Sequence, residues 1–149
     1  MSSATPTSAT PALIDPRSPR FGAAITAVVL VIVLVTSSGW LLAAQAVVFA
    51  IGAIAGIRYA PYGYIYRSLI RPRLGNPTEL EDPAPPRFAQ GVALVFVGIG
   101  AVGYLAGVTP LGIIMTAAAL AAAFLNAAFD YCLGCEMYLR LRRLAPHRG

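Results

Sequence analysis

Two long stretches of this chain carry no charged side chain, and this feature constrains the fold more than any other. The first runs from Phe21 to Ile57 and the second from Phe88 to Phe129. A membrane-spanning helix needs about 20 apolar residues, because the hydrocarbon core is about 30 Å thick and a helix rises about 1.5 Å per residue. Each stretch is therefore about twice as long as one span requires.

Each stretch also contains a helix-breaking sequence near its middle. Ser37-Ser38-Gly39 interrupts the first stretch, and Gly107-Val108-Thr109-Pro110 interrupts the second. Neither stretch alternates apolar and polar residues, which argues against strands. The pattern predicts an all-α membrane protein, a four-helix bundle made of two hairpins. Its transmembrane helices are expected at about residues 21–37, 40–57, 90–107 and 111–130.

The composition agrees with a single membrane domain. Of 149 residues, 58% are hydrophobic and only 11% are charged, whereas a soluble domain carries about 25% charged residues. An ordinary cytosolic enzyme, a disordered chain and a secreted disulfide scaffold are excluded. No ionisable residue lies at the middle of a predicted span, which argues against a proton-coupled transporter or an ion channel.

The chain divides into five predicted segments. They are a disordered tail (1–18), a first hairpin (19–57), a cytoplasmic loop with an interfacial helix (58–87), a second hairpin (88–130) and a C-terminal segment (131–149). The interfacial helix is expected to begin after Pro61 and to end at Pro72, because proline breaks a helix interior.

The positive charges are all arginine, and all of them flank the hairpins. Neither hairpin turn carries one. The positive-inside rule therefore places both termini and the central loop in the cytoplasm, with the protein in the plasma (inner) membrane. We expect these arginines to contact anionic headgroups of the bilayer and not nucleic acid, because no basic stripe exists apart from the flanks.

The chain also suggests an internal repeat. Pro19-Arg20-Phe21 opens the first hairpin and Pro86-Arg87-Phe88 the second, and an Arg-rich segment beginning with Tyr66 or Tyr138 follows each. Two such units would be parallel copies related by an axis along the membrane normal. The alternative is that any two arginine-flanked membrane hairpins look alike. Close helix packing is predicted at Gly56 and Gly103, each in a small-xxx-small pattern.

The chemistry of the chain is concentrated in Cys132 and Cys135, its only thiols. A dithiol at this spacing can open and close a disulfide by exchange with another thiol protein. Three interpretations stay open: a redox or sulfur-relay dithiol, cysteines that are small buried hydrophobes, and a metal site. Zinc needs four ligands, so Asp130, Glu136 or a partner chain, such as a second copy in a homo-oligomer, would have to complete the shell. No cofactor is predicted.

The reactivity of this pair depends on where the last span ends. If the span continues through the cysteines, the helix dipole opposes ionisation, as do Asp130 and Glu136, the candidate modulating residues. If the chain kinks near Asp130, that residue can cap a second helix and place Cys132 in its first turn. Because Cys135 lies nearer the arginines of the tail, it is the expected attacking sulfur.

Three sequence pieces together resemble a known family. They are Pro83–Gly91, Phe124–Ala128 and Cys132–Leu139, and they are similar to the bacterial membrane family catalogued as domain of unknown function 4395, which is common in actinobacteria. The resemblance covers about residues 16–143 and implies a small multi-span protein without an established activity. It also implies a thioredoxin-like or rhodanese-like sulfurtransferase partner, because members of that family look like proteins that are encoded near thioredoxin-like or sulfurtransferase proteins.

The C-terminal cysteine sequence has a second, fainter resemblance. Cys135-Glu136-Met137-Tyr138 is similar to the Cys-Pro-Leu-Tyr end of membrane segments attached to some rhodanese domains. Pro61-Tyr62-Gly63-Tyr64 takes that place in the first copy and lacks a cysteine. The expected function is thiol–disulfide or sulfur exchange with a soluble partner. The alternatives are a scaffold without chemistry and a metal site completed by a partner chain, so enzymatic activity stays open.

Overall fold

The computed structural model describes residues 13–75 and 80–144, and within them the chain is almost entirely helical. The one β-type pairing among these residues is a single antiparallel bridge between Ile14 and Glu81. Residues 1–12, which make up most of the predicted tail, lie outside the described residues. So do residues 145–149 at the C-terminus.

Within the described residues, seven α-helices follow one another. They are α1 (Arg17–Thr36), α2 (Gly39–Ala50), α3 (Pro61–Ile65), α4 (Arg71–Leu74), α5 (Ala84–Leu105), α6 (Thr109–Phe129) and α7 (Leu133–Leu144). A π-helical turn over Ile51–Ala55 extends α2, and another over Tyr66–Ile70 joins α3 to α4.

Three of these helices, α1, α5 and α6, are long and apolar enough to cross a membrane. The helix Gly39–Ala55 is apolar but shorter. The apolar side chains of these helices largely point outward: Val35 is 79% exposed, Trp40 76% and Ile54 74%. Apolar surface on this scale marks a membrane or protein interface, and the chain is accordingly a membrane protein.

The interior of the bundle is built from α1, α2 and α5. Its buried apolar residues are Leu30, Val33, Leu42, Phe49, Val97 and Ala101. Helix α5 packs along both α2 and α6, and α1 packs along α6. Helix α2 therefore shares one core with the three longer helices.

Both hairpin turns form where the helix-breaking sequences predict them. Ser37 takes a left-handed conformation with φ +55°, and the hydroxyl of Ser38 accepts a hydrogen bond of 3.1 Å from the Leu41 N–H to cap α2. Gly107, with φ +87°, ends the helix before the second turn. The predicted hairpin breaks are confirmed.

The packing prediction is confirmed at Gly103 and wrong at Gly56. A Cβ on Gly103 would lie 2.9 Å from the backbone nitrogen of Gly112, so α5 and α6 approach closely there. Gly56 has φ +122° and follows the end of the π-helical turn. Residues with a side chain rarely adopt this backbone conformation. Glycine is therefore needed here for its conformation and not for helix packing.

Prolines begin helices in this chain more often than they end them. Helix α5 begins at Ala84, before the predicted start at about residue 90, with Pro85 and Pro86 in its first turn. Pro72 lies in the first turn of α4, so the helical segment passes it and stops before Gly75. A proline at these positions costs little, because the first helical N–H groups have no intrahelical partner.

The chain just before α1 is fastened to the central loop. Asp15 is 7% exposed and forms an ion pair of 2.9 Å with Arg17. The Tyr66 hydroxyl donates a 2.8 Å hydrogen bond to the same carboxylate. Burial raises the pKa of Asp15, but hydrogen bonds from Arg17 and Tyr66 outweigh it and leave that pKa below 3.8. Burial and the bond to Asp15 raise the pKa of Tyr66 to about 12.

Each hairpin has a phenylalanine at its start that packs on a tyrosine beyond its end. Phe21 packs on Tyr66 with ring centroids 5.8 Å apart, and Phe88 packs on Tyr138 at 5.6 Å. The two ring pairs are tilted by 53° and 51°.

The arginine beside each phenylalanine reaches across to the other hairpin. Arg20 Nη2 donates to the Ala127 carbonyl of α6 at 3.1 Å. Arg87 Nε donates to the Ala53 carbonyl at 2.9 Å, and its Nη2 donates to the Ile54 carbonyl at 2.6 Å. Each guanidinium therefore satisfies carbonyls at a helix C-terminus, which carries partial negative charge.

Candidate functional site: a cysteine pair beside an apolar cavity

The chain bends between α6 and the cysteines. Asp130 has φ +56°, a left-handed conformation that ends α6. Helix α7 then begins at Leu133 and packs on α5 instead of continuing α6. Of the two alternatives that the sequence left open, the structure shows the kink near Asp130 and not a helix that continues through the cysteines.

Cys132 caps α7, a role that the sequence suggested for Asp130. Its carbonyl accepts from the Glu136 N–H at 3.0 Å. Its Sγ accepts from the Cys135 N–H at 3.1 Å. These are the two hydrogen bonds that define an N-cap residue. A helix N-terminus stabilises a thiolate, so this position favours ionisation of Cys132 once the pair is reduced.

Cys132 and Cys135 are joined by a disulfide, with their Cα atoms 5.1 Å apart. This separation lies within the usual range of disulfides, about 4.4–6.8 Å. Both residues are partly exposed. The first turn of α7 thus holds the two sulfurs at bonding geometry and leaves the pair accessible to a reactant.

Gly134, the second of the two residues between the cysteines, sets the position of this turn, and sequence reasoning missed its role. A Cβ on Gly134 would lie 2.5 Å from the Cβ of Ala89 and 2.6 Å from its Cα. Only glycine therefore allows the cysteine turn to lie directly on α5. A glycine inside a Cys-x-x-Cys pair was the available signal for this close approach.

Asp130 and Glu136, the acidic residues expected to modulate the cysteines, make different contacts. Asp130 has a 70% exposed side chain and lies 3.8 Å from Arg20. Glu136 is in the first turn of α7, where a negative charge interacts favourably with the helix dipole. Arg142, one of the tail arginines, lies over the ring of Tyr138 at 5.8 Å.

The cysteine turn forms part of the wall of a cavity of about 390 Å³. The cavity lies between α1, α2, α5 and α6, and the first turns of α3 and α7 border it. Cys132, Leu133 and Gly134 line it, whereas Cys135 does not. On α6, the small side chains of Ala118 and Ala122 line this space.

A buried polar network closes one side of the cavity. Gln45 is 2% exposed, and its Oε1 accepts a 2.6 Å hydrogen bond from the Tyr62 hydroxyl. Its Nε2 donates to the Thr26 hydroxyl at 3.5 Å. The network links α1, α2 and α3, and it satisfies the amide of Gln45 inside the bundle.

A metal centre finds few ligands in the part of the chain that the structure describes. Among residues 13–75 and 80–144, no three side chains of the His, Cys, Asp or Glu type come together. A metal bound at Cys132 and Cys135 would therefore need further ligands from outside these residues.

Comparisons with known proteins identify a family but no characterised relative. No curated protein matches the chain, and no solved structure matches it. The model of a family described as a domain of unknown function, number 4395, matches residues 14–143. This match spans nearly all of the described residues, including both hairpins and the cysteine turn. The chain therefore belongs to the family of domain of unknown function 4395.

Proposed function

We propose that this protein is a membrane-bound thiol oxidoreductase whose Cys132–Cys135 pair exchanges electrons or sulfur with a thiol of a soluble protein. The observation that carries the proposal is the hydrogen bond from the Cys135 N–H to Cys132 Sγ at the start of α7. It joins a dithiol of bonding geometry to a helix N-terminus, and both features are typical of reactive cysteine pairs.

The geometry favours Cys132 as the attacking sulfur, the reverse of the order expected from the arginines. Cys132 receives the N–H of Cys135, and Arg142 is engaged with the Tyr138 ring. A thiolate on Cys132 attacks the partner's disulfide and forms a mixed disulfide with one partner sulfur. Cys135 then attacks Cys132 Sγ, which closes the intramolecular disulfide and releases the partner as a dithiol. Run in reverse, the same two steps oxidise a partner dithiol and leave the Cys132–Cys135 pair reduced.

The proposal includes four membrane spans with both termini on the cytoplasmic side. Helix α2 with its π-helical extension is about 25 Å long at about 1.5 Å per residue, and short spans of this kind occur in bilayers. Its support is that Leu42 and Phe49 of α2 share the buried core with the long helices. The arginine flanks support a cytoplasmic position for the cysteine turn by the positive-inside rule.

The proposal also treats the two hairpins as copies of one unit. The paired contacts Phe21–Tyr66 and Phe88–Tyr138 support it, as do the reciprocal bonds of Arg20 and Arg87. Helix α3 follows Ala60 as α7 follows Cys132. Ala60 then corresponds to Cys132 and Gly63, instead of Pro61, to Cys135, so only the second copy carries thiols at this place.

The proposed function is tested by trapping the mixed disulfide. In cells, a Cys135→Ser variant leaves Cys132 able to attack and removes the resolving sulfur. We expect this variant to accumulate a covalent, reductant-sensitive adduct with a soluble protein, which is detected by non-reducing electrophoresis and mass spectrometry. Cys132→Ser is the matched control and should trap much less.

The outcomes separate the competing interpretations. An adduct with Cys132→Ser alone restores Cys135 as the attacking sulfur. If neither variant traps a protein, and the double Cys→Ala variant grows like the wild type under oxidative and sulfur stress, the redox function is wrong. The protein then acts as a scaffold.

A further inference from the structure

The cavity beside the cysteine pair is the feature that the proposed function leaves unused. Its volume of about 390 Å³ lies within the range of small-molecule sites, about 300–1,000 Å³. Among the described residues, none that lines it is charged, and most are alanine, glycine or larger apolar residues. An occupant of this cavity is therefore uncharged and largely apolar.

Two amide side chains give the cavity directed polarity. Gln90 on α5 and Asn126 on α6 both line it. Neither side chain has a hydrogen-bond partner within the described part of the chain. An amide can donate hydrogen bonds to a carbonyl oxygen. The Gln90 and Asn126 amides can therefore bind an apolar molecule that carries carbonyl groups.

Electron balance further restricts which molecule can occupy the cavity. Oxidation of a dithiol to a disulfide releases two electrons and two protons, so the pair needs a two-electron acceptor. Cys132 reaches the cavity wall, whereas Cys135 lies outside it. An acceptor in the cavity therefore contacts the sulfur that caps α7. A quinone is apolar, carries two carbonyl oxygens, accepts two electrons and two protons, and dissolves in the bilayer around these helices.

We infer that the cavity binds a membrane quinone that reoxidises the Cys132–Cys135 dithiol, an inference that rests on the proposed redox function. Cys132 thiolate adds to a ring carbon and forms a sulfur–carbon bond. Cys135 thiolate attacks Cys132 Sγ, so the disulfide forms and the sulfur–carbon bond breaks. The electron pair stays on the ring, and the two thiol protons complete the quinol.

The test uses the full chain in liposomes, with the pair reduced and the reductant removed. The probe is decylubiquinone. Loss of quinone absorbance and loss of free thiols are followed together. We expect equal amounts of quinol and disulfide to form, and no quinol from the double Cys→Ala variant.

A matched pair of variants on α6 locates the reaction. Ala122→Phe places a ring in the cavity, whereas Ala121→Phe adds the same ring at an exposed position outside it. We expect Ala122→Phe to slow quinone reduction at least about tenfold, and Ala121→Phe to change it less than about twofold. Equal rates in the two variants would overturn the cavity as the quinone site.

A second reaction separates failure of this inference from failure of the proposed function. Exchange between the reduced pair and an oxidised soluble thioredoxin is measured in the same liposomes. If the wild-type protein exchanges with thioredoxin but does not reduce the quinone, the quinone inference is wrong and the proposed function stands. If the wild-type protein does neither, both are wrong.

If Ala122→Phe also loses exchange with thioredoxin, the Asn126→Leu variant provides the test. Slower quinone reduction with normal exchange in this variant supports the cavity as the quinone site, and an unchanged rate of quinone reduction rejects it.

Discussion

Arg87 donates hydrogen bonds to the carbonyls of Ala53 and Ile54, and so links the start of α5 to the end of α2. These carbonyls are among the last of the helix, where the π-helical turn of Ile51–Ala55 ends at Gly56. Carbonyls at this place have no partner within their own helix. One side chain therefore completes the end of α2 and fixes its distance from α5.

Arg87→Gln is expected to destabilise the bundle by about 1–3 kcal/mol, because hydrogen bonds from a charged donor are lost at this helix end. The measurement is unfolding of the reconstituted protein by denaturing detergent. Arg140→Gln, at an exposed position of α7, serves as the control and should unfold like the wild type. Equal stability of all three proteins would show that the bonds of Arg87 contribute nothing.

Gly134→Ala is expected to displace the cysteine turn from α5, because the added Cβ meets Ala89 at 2.5 Å. Overpacking of this kind typically costs about 1–3 kcal/mol. Gly98→Ala on α5 is the matched control, since its Cβ meets nothing within 4 Å. Alanine there should stabilise the helix by up to about 1 kcal/mol. Detergent unfolding of both variants gives the comparison, and similar stabilities would exclude a close contact at Gly134.

The proposed topology predicts the sides on which single cysteines are labelled. In a protein lacking both native cysteines, Ser38→Cys and Thr109→Cys should react from outside with a membrane-impermeant thiol reagent. Arg73→Cys should react only after the membrane is permeabilised. This third position tests α2 directly: if α2 does not cross the bilayer, the central loop and Ser38 lie on the same side. The native pair should stay protected in intact cells.

Stability should fall at both extremes of pH, because bonds from Arg17 and Tyr66 favour the charged form of Asp15, and burial and the bond to Asp15 favour the neutral form of Tyr66. The pKa of Asp15 lies below 3.8 in the fold, so its contribution is present above this value and is lost as the pH falls through the folded pKa. The pKa of Tyr66 is raised from 10.0 to about 12, so its contribution is complete below pH 10 and is lost as the pH rises through 12.

Two variants separate these effects. Asp15→Asn should weaken the acid dependence of detergent unfolding, and Tyr66→Phe should weaken the alkaline dependence. Tyr59→Phe, at an exposed residue, is the control for tyrosine ionisation in general. A pH profile unchanged by either substitution would contradict the assignment.

The hairpins could be predicted from sequence because membrane insertion depends on local composition. Charge-free stretches and the breaks at Ser37 and Gly107 mark the helix ends to within a few residues. Proline positions were harder to interpret. Pro72 and Pro86 break a helix interior but fit a first turn, and only knowledge of where each helix begins distinguishes the two cases.

The cysteine site depends on contacts distant in sequence, which composition does not encode. Whether α6 continues or bends at Asp130 is decided by α7 packing on α5 through Gly134 and Ala89. Aspartate tolerates a left-handed conformation, and glycine allows close approach, so both signals were present. Neither indicates which helix the cysteine turn contacts, and the cavity beside it has no signature in the order of residues.

The two arginines that bond across the hairpins, Arg20 and Arg87, differ in when their acceptors are synthesised. When Arg87 leaves the ribosome, Ala53 and Ile54 have already been synthesised, so their carbonyls are available to accept its hydrogen bonds. Arg20 binds Ala127, which follows it by 107 residues. Its guanidinium therefore stays without this partner until the last long helix is translated. The first hairpin is therefore synthesised before this contact can form, and translation of α6 supplies it.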